Sequence, residues 1–505
     1  MTLKRSSGIL MHISSLPGDY GIGSFGKEAK QFADFLHQTG CSYWQTLPFG
    51  PVDVCNSPYK SFSAFAGNPY FIDLEALSDN GLLTPAELLA NKHPDHYTAA
   101  FDWLEKTRLK TLHLAFTRID EPLKEKIKIF TKEQAYWLPD YALYMTLKEI
   151  FDDQDWYRWP DDKLKNHDST ALQDAQIKYA DQILFQEFLQ YTFFTQWQSV
   201  KKYANTLGVE IIGDMPIYVS LESSDVWAHP EVFDLDSDGH PLHVAGVPPD
   251  YFSVDGQLWG NPLYHWKTLK ANGYQWWIKR IDHSLKIYDA VRIDHFRAFS
   301  AYWSVDANAQ NARNGKWIPG PGMDFFNTVF AALGSKSSRI IAEDLGVMDD
   351  GVIDLLKETG LPGMRVLQFA FIEEGDNIHL PHNYVKNCVA YTGTHDNNTL
   401  LGWQWELLPE QRHYALSYVN YHGKDESWQE GGFHSQSCRA FIRCLWQSSA
   451  NVVITPIQDL CGYGSDTKMN YPGVALGNWA FRLSSTALSH IDIQWLKTLN
   501  DLYKR

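Results

Sequence analysis

Three carboxylates, Asp294, Glu343 and Asp396, each stand at the end of a short apolar run: AVRID at 290–294, RIIAE at 339–343 and VAYTGTHD at 389–396. Two carboxyl groups facing each other across a bond are what glycosidic chemistry requires, one as nucleophile or base and the other as acid. A parallel α/β barrel presents its chemistry at the C-terminal ends of several different strands, and this recurrence places all three groups there. The third exceeds what a simple pair needs.

Side chains alternate along a strand, so in AVRIDHF Arg292 and Asp294 share one face while Val291, Ile293 and His295 share the other. With the aliphatic pair against a helix layer, Arg292 and Asp294 point into the barrel, where a guanidinium favours the charged form of its carboxylate neighbour. An ionised, fixed aspartate is a competent nucleophile toward an anomeric carbon. A buried Arg–Asp pair that merely braces the barrel is the alternative.

Glu343 and Asp344 fall on opposite faces, so at most one enters the pocket. Glu343 has the longer reach, suited to protonating a leaving oxygen and then deprotonating an incoming hydroxyl, a double duty that needs a pKa raised by desolvation. Helix capping is the alternative for such a pair. In YTGTHDNNT, Thr and Gly permit a sharp turn from which His395 and Asp396 project. They form either an Asx-turn in a surface loop or a grip on sugar hydroxyls, with Asp396 binding a distorted ring more tightly than a relaxed one.

Eight β-branched or apolar runs recur: GILMHI at 8–13, YWQTLPF at 43–49, EIIGDMPIYV at 210–219, AVRIDHF at 290–296, RIIAEDLG at 339–346, MRVLQFAF at 364–371, CVAYTGTHD at 388–396 and NVVITPIQDL at 451–460. Amphipathic stretches such as KEAKQFADFLHQTG and DGVIDLLKETG lie between them, each ending in a Gly suited to a helix C-cap. The alternation predicts an α/β protein, a (β/α)8 TIM barrel. Two intervals are too long for βα loops. The first, near 50–205, follows the second strand and reads as mostly helical, with a capping box at Thr84–Glu87 and one long helix over AQIKYADQILFQEFLQYTFFTQWQSVKKYANTLG. The second, near 220–285, follows the third strand and carries the turn clusters DSDG and GVPPD. Both should rise over the catalytic face and wall the site, making residues 1–505 a single catalytic unit.

A formal charge of −16 argues against nucleic acid as a partner. Nineteen tryptophans within 14% aromatic residues supply flat faces that suit sugar rings as well as cores. The N-terminus lacks the apolar stretch of a signal peptide, and no run approaches the roughly 18 apolar residues that span a bilayer. A soluble, cytoplasmic protein without membrane partners is expected. Six dispersed cysteines with no CxxC pair indicate reduced thiols rather than disulfides or zinc. GIGSFG at 21–26 fits a dinucleotide fingerprint, yet Thr46 stands where a ribose-binding acid belongs. DLDSDG at 234–239 begins like a calcium loop, but its twelfth position is Ala245. Neither a cofactor nor a metal is expected.

GDMPIYV at 213–219, VRIDHF at 291–296, AEDLG at 342–346 and TGTHDNNT at 392–399 resemble the four signature segments of the α-amylase clan of retaining glycosidases and transglycosylases. GVPPDYFSVDGQLWGNPLYHW at 246–266, SPYKSFSAFAGNPYFIDL at 57–74 and MNYPGVALGNWAFR at 469–482 are similar to a narrower group, the 4-α-glucanotransferases or amylomaltases of glycoside hydrolase family 77. That resemblance implies Asp294 as nucleophile, Glu343 as acid/base and Asp396 as transition-state stabiliser. It implies Asp214 and Arg292 as supporting members, His395 on the donor glucose, and Tyr59 stacked on the sugar next to the scissile bond. Gln257 and Trp259 would overhang the acceptor side, and Ser57 and Asn470 would line the glucan groove.

The implied reaction moves a segment of α-1,4-glucan from one maltooligosaccharide, or glycogen- or starch-derived dextrin, to another glucan or to glucose, through a covalent glucosyl-aspartate. The carboxylates alone do not choose between sugar and water, so an α-amylase-like hydrolase is the nearest alternative and a non-catalytic glucan binder a remoter one. After the eighth strand about 45 residues remain, too few for the β-sandwich that amylases usually append, which favours the transferase.

Overall fold

In chain order the strands are β1 (Ser6–Leu10), β2 (Tyr43–Gln45), β3 (Glu210–Met215), β4 (His243–Val247), β5 (Gln257–Pro262), β6 (Ala290–Ile293), β7 (Ala301–Asp306), β8 (Lys316–Pro319), β9 (Ile340–Ala342), β10 (Gly363–Val366), β11 (Cys388–Tyr391) and β12 (Val452–Pro456). They come from a computed structural model that describes residues 3–249, 254–346, 348–372, 375, 377–424 and 426–505. Eight of them run parallel in the order β10-β11-β12-β1-β2-β3-β6-β9. The Ala342 N–H at the end of β9 donates to the Pro362 carbonyl just before β10 at 2.9 Å, which brings the two sheet edges together. The sheet is therefore a nearly closed barrel, and each of the eight predicted runs contributes one of its strands.

Every residue of β1, β2, β11 and β12 is buried. Parallel strands covered on both faces require such continuous runs. The polar residues among them face one another, as when the Tyr391 hydroxyl donates to Gln45 Oε1 at 2.9 Å. The expected C-caps are present at Gly40 (φ 77°) and Gly360 (φ 66°), where a left-handed backbone ends each helix.

Between β2 and β3 the chain is mostly helical. Thr84 and Glu87 form the expected reciprocal capping box. The single long helix is instead two, Ser169–Lys178 and Ala180–Thr206, separated at Tyr179 (φ −113°, ψ 29°). One non-helical residue leaves the apolar stripe almost in phase, so periodicity does not reveal the break. The longer helix anchors the loop leading out of β2. Gln190 bonds both the N–H and the carbonyl of Gly67 at 2.8 and 2.9 Å, and Gln196 does the same for Asp73 at 2.7 and 3.1 Å. Position 67 must be Gly, because a Cβ there would lie 2.2 Å from the Phe193 ring. This anchoring fixes the C-terminal end of the segment that carries Tyr59.

A second sheet, antiparallel in the order β5-β4-β7-β8, joins the interval after β3 to one after β6. β7 and β8 are not among the eight predicted runs, although AYWSVD and KWIP flank a turn with Asn314-Gly315. That dipeptide is the available hairpin signal. Of the segment quoted at 246–266, residues 250–253 lie outside the described residues. At the far end of the chain, Asn500 accepts from the Ser7 hydroxyl at 2.6 Å and donates to the Thr39 carbonyl at 2.8 Å, tying the helix Ile493–Tyr503 to β1 and the first helix. No helix among the described residues is long and apolar enough to cross a membrane.

Candidate active site

Asp214 and Arg292 are register partners on β3 and β6, so their side chains leave adjacent strands on one face. Arg292 Nη1 donates to both oxygens of Asp214 at 2.8 Å and lies 2.9 Å from Asp294 Oδ1, while Nη2 lies 3.9 Å from Glu343 Oε2. One guanidinium thus faces three carboxyl groups. Accessibility separates them: the side chain of Asp214 is 0% exposed, Glu343 10% and Asp294 28%. Asp294 is the one that opens toward a ligand.

One cation facing a cluster of three carboxyls favours retention of a proton within the cluster. Burial pushes Glu343 up to about 7, with Asp294 adding to the rise; Arg292 and the N–H groups of Leu345 and His295 act against it. Those two amides bind the Glu343 oxygens at 2.7 Å each and aim the carboxyl. Asp344 turns the other way, to Arg365 at 3.0 Å and the Met364 N–H, as strand alternation requires. If protonated Glu343 is the acid, kcat/KM on maltotriose should fall tenfold for each pH unit above about 7. A profile flat to roughly pH 9 would remove Glu343 from that role.

A second group closes the site from the β11 side. The Tyr59 hydroxyl donates to Asp214 Oδ2 at 2.7 Å, and its ring stacks on His395 with centroids 4.9 Å apart and planes at 20°. His395 Nε2 lies 3.3 Å from Asp396 Oδ2, and Asn470 Nδ2 donates to Asp396 Oδ1 at 2.6 Å. Burial pushes Asp396 up, but the His395 charge and hydrogen bond, together with Asn470, outweigh it and hold the carboxyl at about 2. The Asp396 side chain is nevertheless 49% exposed, so it is ionised, fixed and available. The Ser57 hydroxyl accepts from the Tyr59 N–H at 3.3 Å and shapes the turn that presents the ring.

Trp479 was not singled out by sequence. Its ring lies 5.7 Å from Tyr59 and 5.8 Å from His395, and its backbone is left-handed (φ 66°). A bulky residue in that conformation is strained and is held by its surroundings, here by a bond from its N–H to the Met469 carbonyl at 2.7 Å. The sequence signal is a Trp placed directly after a glycine-rich turn.

Gln257 and Trp259 sit on β5, where the indole N–H of Trp259 donates to Gln257 Oε1 at 3.1 Å. The Trp259 ring meets His295 edge-on at 4.9 Å and 82°. This corrects the expectation that His295 continues the outer face of its strand. β6 ends at Ile293, and His295 adopts a left-handed backbone (φ 50°) that swings its ring to the overhanging strand. Burial pushes His295 down to about 4, so it is neutral at ordinary pH.

The family model described as 4-alpha-glucanotransferase matches residues 11–488. This chain belongs to that family. Curated 4-alpha-glucanotransferases similar to it include one from Streptococcus pneumoniae, 43% identical over 99% of this chain and 98% of that one, and one from Thermus thermophilus, 42% identical over 97% of each. An amylomaltase from Streptococcus agalactiae, solved in complex with acarbose, superposes with a TM-score of 0.94 at 39% identity, covering 99% of this chain and all of the other. The enzyme is accordingly a transferase of the disproportionating class.

Two other motifs find structural uses in this glucanotransferase. In GIGSFG, a Cβ at Gly23 would lie 1.9 Å from the Ile13 carbonyl, so the glycine serves close backbone packing. In DLDSDG, Asp236 Oδ1 accepts from the N–H groups of Asp238 and His240 at 2.9 Å each, forming a self-contained turn.

Proposed function

We propose that Asp294 attacks the anomeric carbon of a bound α-1,4-glucan while protonated Glu343 donates to the departing glycosidic oxygen, leaving a glucosyl ester on Asp294. Glu343, now a base, takes the proton of an acceptor 4-hydroxyl, and that oxygen displaces Asp294, so the anomeric configuration is retained. The number of glycosidic bonds is unchanged. The observation that carries this reading is the contact of one guanidinium with both carboxyls, Asp294 at 2.9 Å and Glu343 at 3.9 Å, with the first open to a ligand and the second pushed up toward neutrality. That arrangement suits the close pair of a retaining enzyme, about 5–5.5 Å apart.

Asp396, ionised and steadied by His395 and Asn470, binds hydroxyls of the distorted ring, and Tyr59 offers an aromatic surface beside it. Trp259 and Gln257 receive the acceptor, either a second glucan or glucose. The Trp259 contact with His295, whose N–H holds Glu343, ties the acceptor wall to the acid/base. Enclosing the acceptor while excluding water favours sugar over water as the second nucleophile. Six unpaired cysteines, five of them buried, suit a reducing, cytoplasmic setting.

Incubation with maltotriose tests the acceptor. Glucose and a ladder of longer chains should appear with constant total reducing ends; a steady rise in reducing ends means that water is the acceptor and the enzyme a hydrolase.

A further inference from the structure

Asp459 lies in the short helix Ile457–Cys461 after β12 and is 2% exposed. Its Oδ2 accepts from the Thr392 hydroxyl at 2.6 Å and its Oδ1 from the Leu400 N–H at 2.7 Å. Thr392 directly follows β11, and Leu400 opens the helix Leu400–Glu406. Between these two arms runs the loop 393–399 that carries His395 and Asp396. We propose that Asp459 is a positioning residue for glucan transfer, clamping this loop at its base so that His395 and Asp396 are fixed against the reacting sugar.

Other hydrogen bonds of the loop do different jobs. The Thr394 N–H and hydroxyl both donate to Asn397 Oδ1 at 2.9 Å, which shapes the tip. Gln368 reaches the Asn398 carbonyl at 2.9 Å, and Asn398 Nδ2 donates to Ser465 Oγ at 2.9 Å, holding one limb. Asp459 joins both limbs to each other and to the strand-end helix. It does so at a cost, because burial pushes its carboxyl up to about 7 against the pull of Thr392 and Leu400. Apolar packing would avoid that cost. A group with two acceptors is what two donors at this spacing need.

The clamp rests on the assignment of His395 and Asp396 to the reacting sugar, and Asp396→Asn in the same assay tests that assignment separately. Displacing catalytic groups by about 1 Å costs on the order of 100-fold. Asp459→Ala should therefore lower kcat on maltotriose by about 10- to 100-fold, with KM within about threefold, since the rest of the groove still binds. Asp459→Asn should recover kcat to within about threefold. Its Oδ1 keeps Leu400 and its amide donates to Thr392, whose hydroxyl turns to Thr455 at 2.9 Å. Thr392→Val removes one arm and should lie between, and Asp459→Ala should add little further loss to it.

A kcat within about twofold of wild type for Asp459→Ala overturns the clamp, as does a loss confined to KM or an Asn variant as impaired as the Ala one. If Asp459→Ala does not fold, the other two variants decide: wild-type kcat in Thr392→Val overturns the clamp. An active Asp396→Asn variant would instead remove the assignment on which the clamp rests.

Discussion

Replacing Asp294 with Asn should lower kcat on maltooligosaccharides by at least about 10⁴-fold, the scale on which removing a nucleophile costs covalent enzymes. The amide keeps an oxygen for Arg292 Nη1, now 2.9 Å from the carboxylate, so the barrel rim should hold its shape while the nucleophilic charge is lost. Oligosaccharide binding should stay measurable by calorimetry, because Tyr59, His395 and Trp259 are untouched. Asp214 cannot take over, since its side chain is wholly buried and already bound through both oxygens by Arg292. Turnover within about tenfold of wild type would place the nucleophile elsewhere.

Arg292→Met should be the most damaging change to stability at the site. It removes the cation from beside Asp214, Asp294 and Glu343 and leaves Asp214 and Glu343 buried with hydrogen-bond donors but no compensating charge, a loss of about 3–5 kcal/mol. Burial already raises Asp214 and Glu343, with Arg292 opposing it, so its removal raises both further above their unfolded values. A carboxyl raised in the folded state favours folding at low pH and loses that contribution as pH rises through its folded pKa. The variant should therefore lose more thermal stability at roughly pH 8 than at roughly pH 5.5. Equal losses at both would mean that Arg292 acts through packing rather than charge.

Asp294, Glu343 and Arg292 were legible in sequence because strand parity dictates their direction and because apolar runs mark the strand ends. Parity fails one residue later. His295 lies two residues past the end of β6 in a left-handed turn that no longer alternates, and its packing on Trp259 depends on a strand 30 or more residues away in sequence. The β7–β8 hairpin escaped notice because its alternation is short and its partner strand belongs to another interval. Trp479 and Asp459 share a different reason. One acts through an uncommon backbone conformation and the other through two donors brought together from β11 and the following helix. Neither leaves a periodic trace.

A covalent link to Asp294 with retention of configuration is the step on which glucan transfer depends. It is tested by treating Glu343→Gln with a maltosyl α-fluoride, whose departure needs no acid, and examining the protein by intact mass and peptide mapping. One glycosyl unit per chain on the peptide containing Asp294, and an α-configured glycosyl azide once azide, a nucleophile that needs no base, is added, is the expected result. An adduct on Asp214 or Asp396, or a β-configured product, would contradict it.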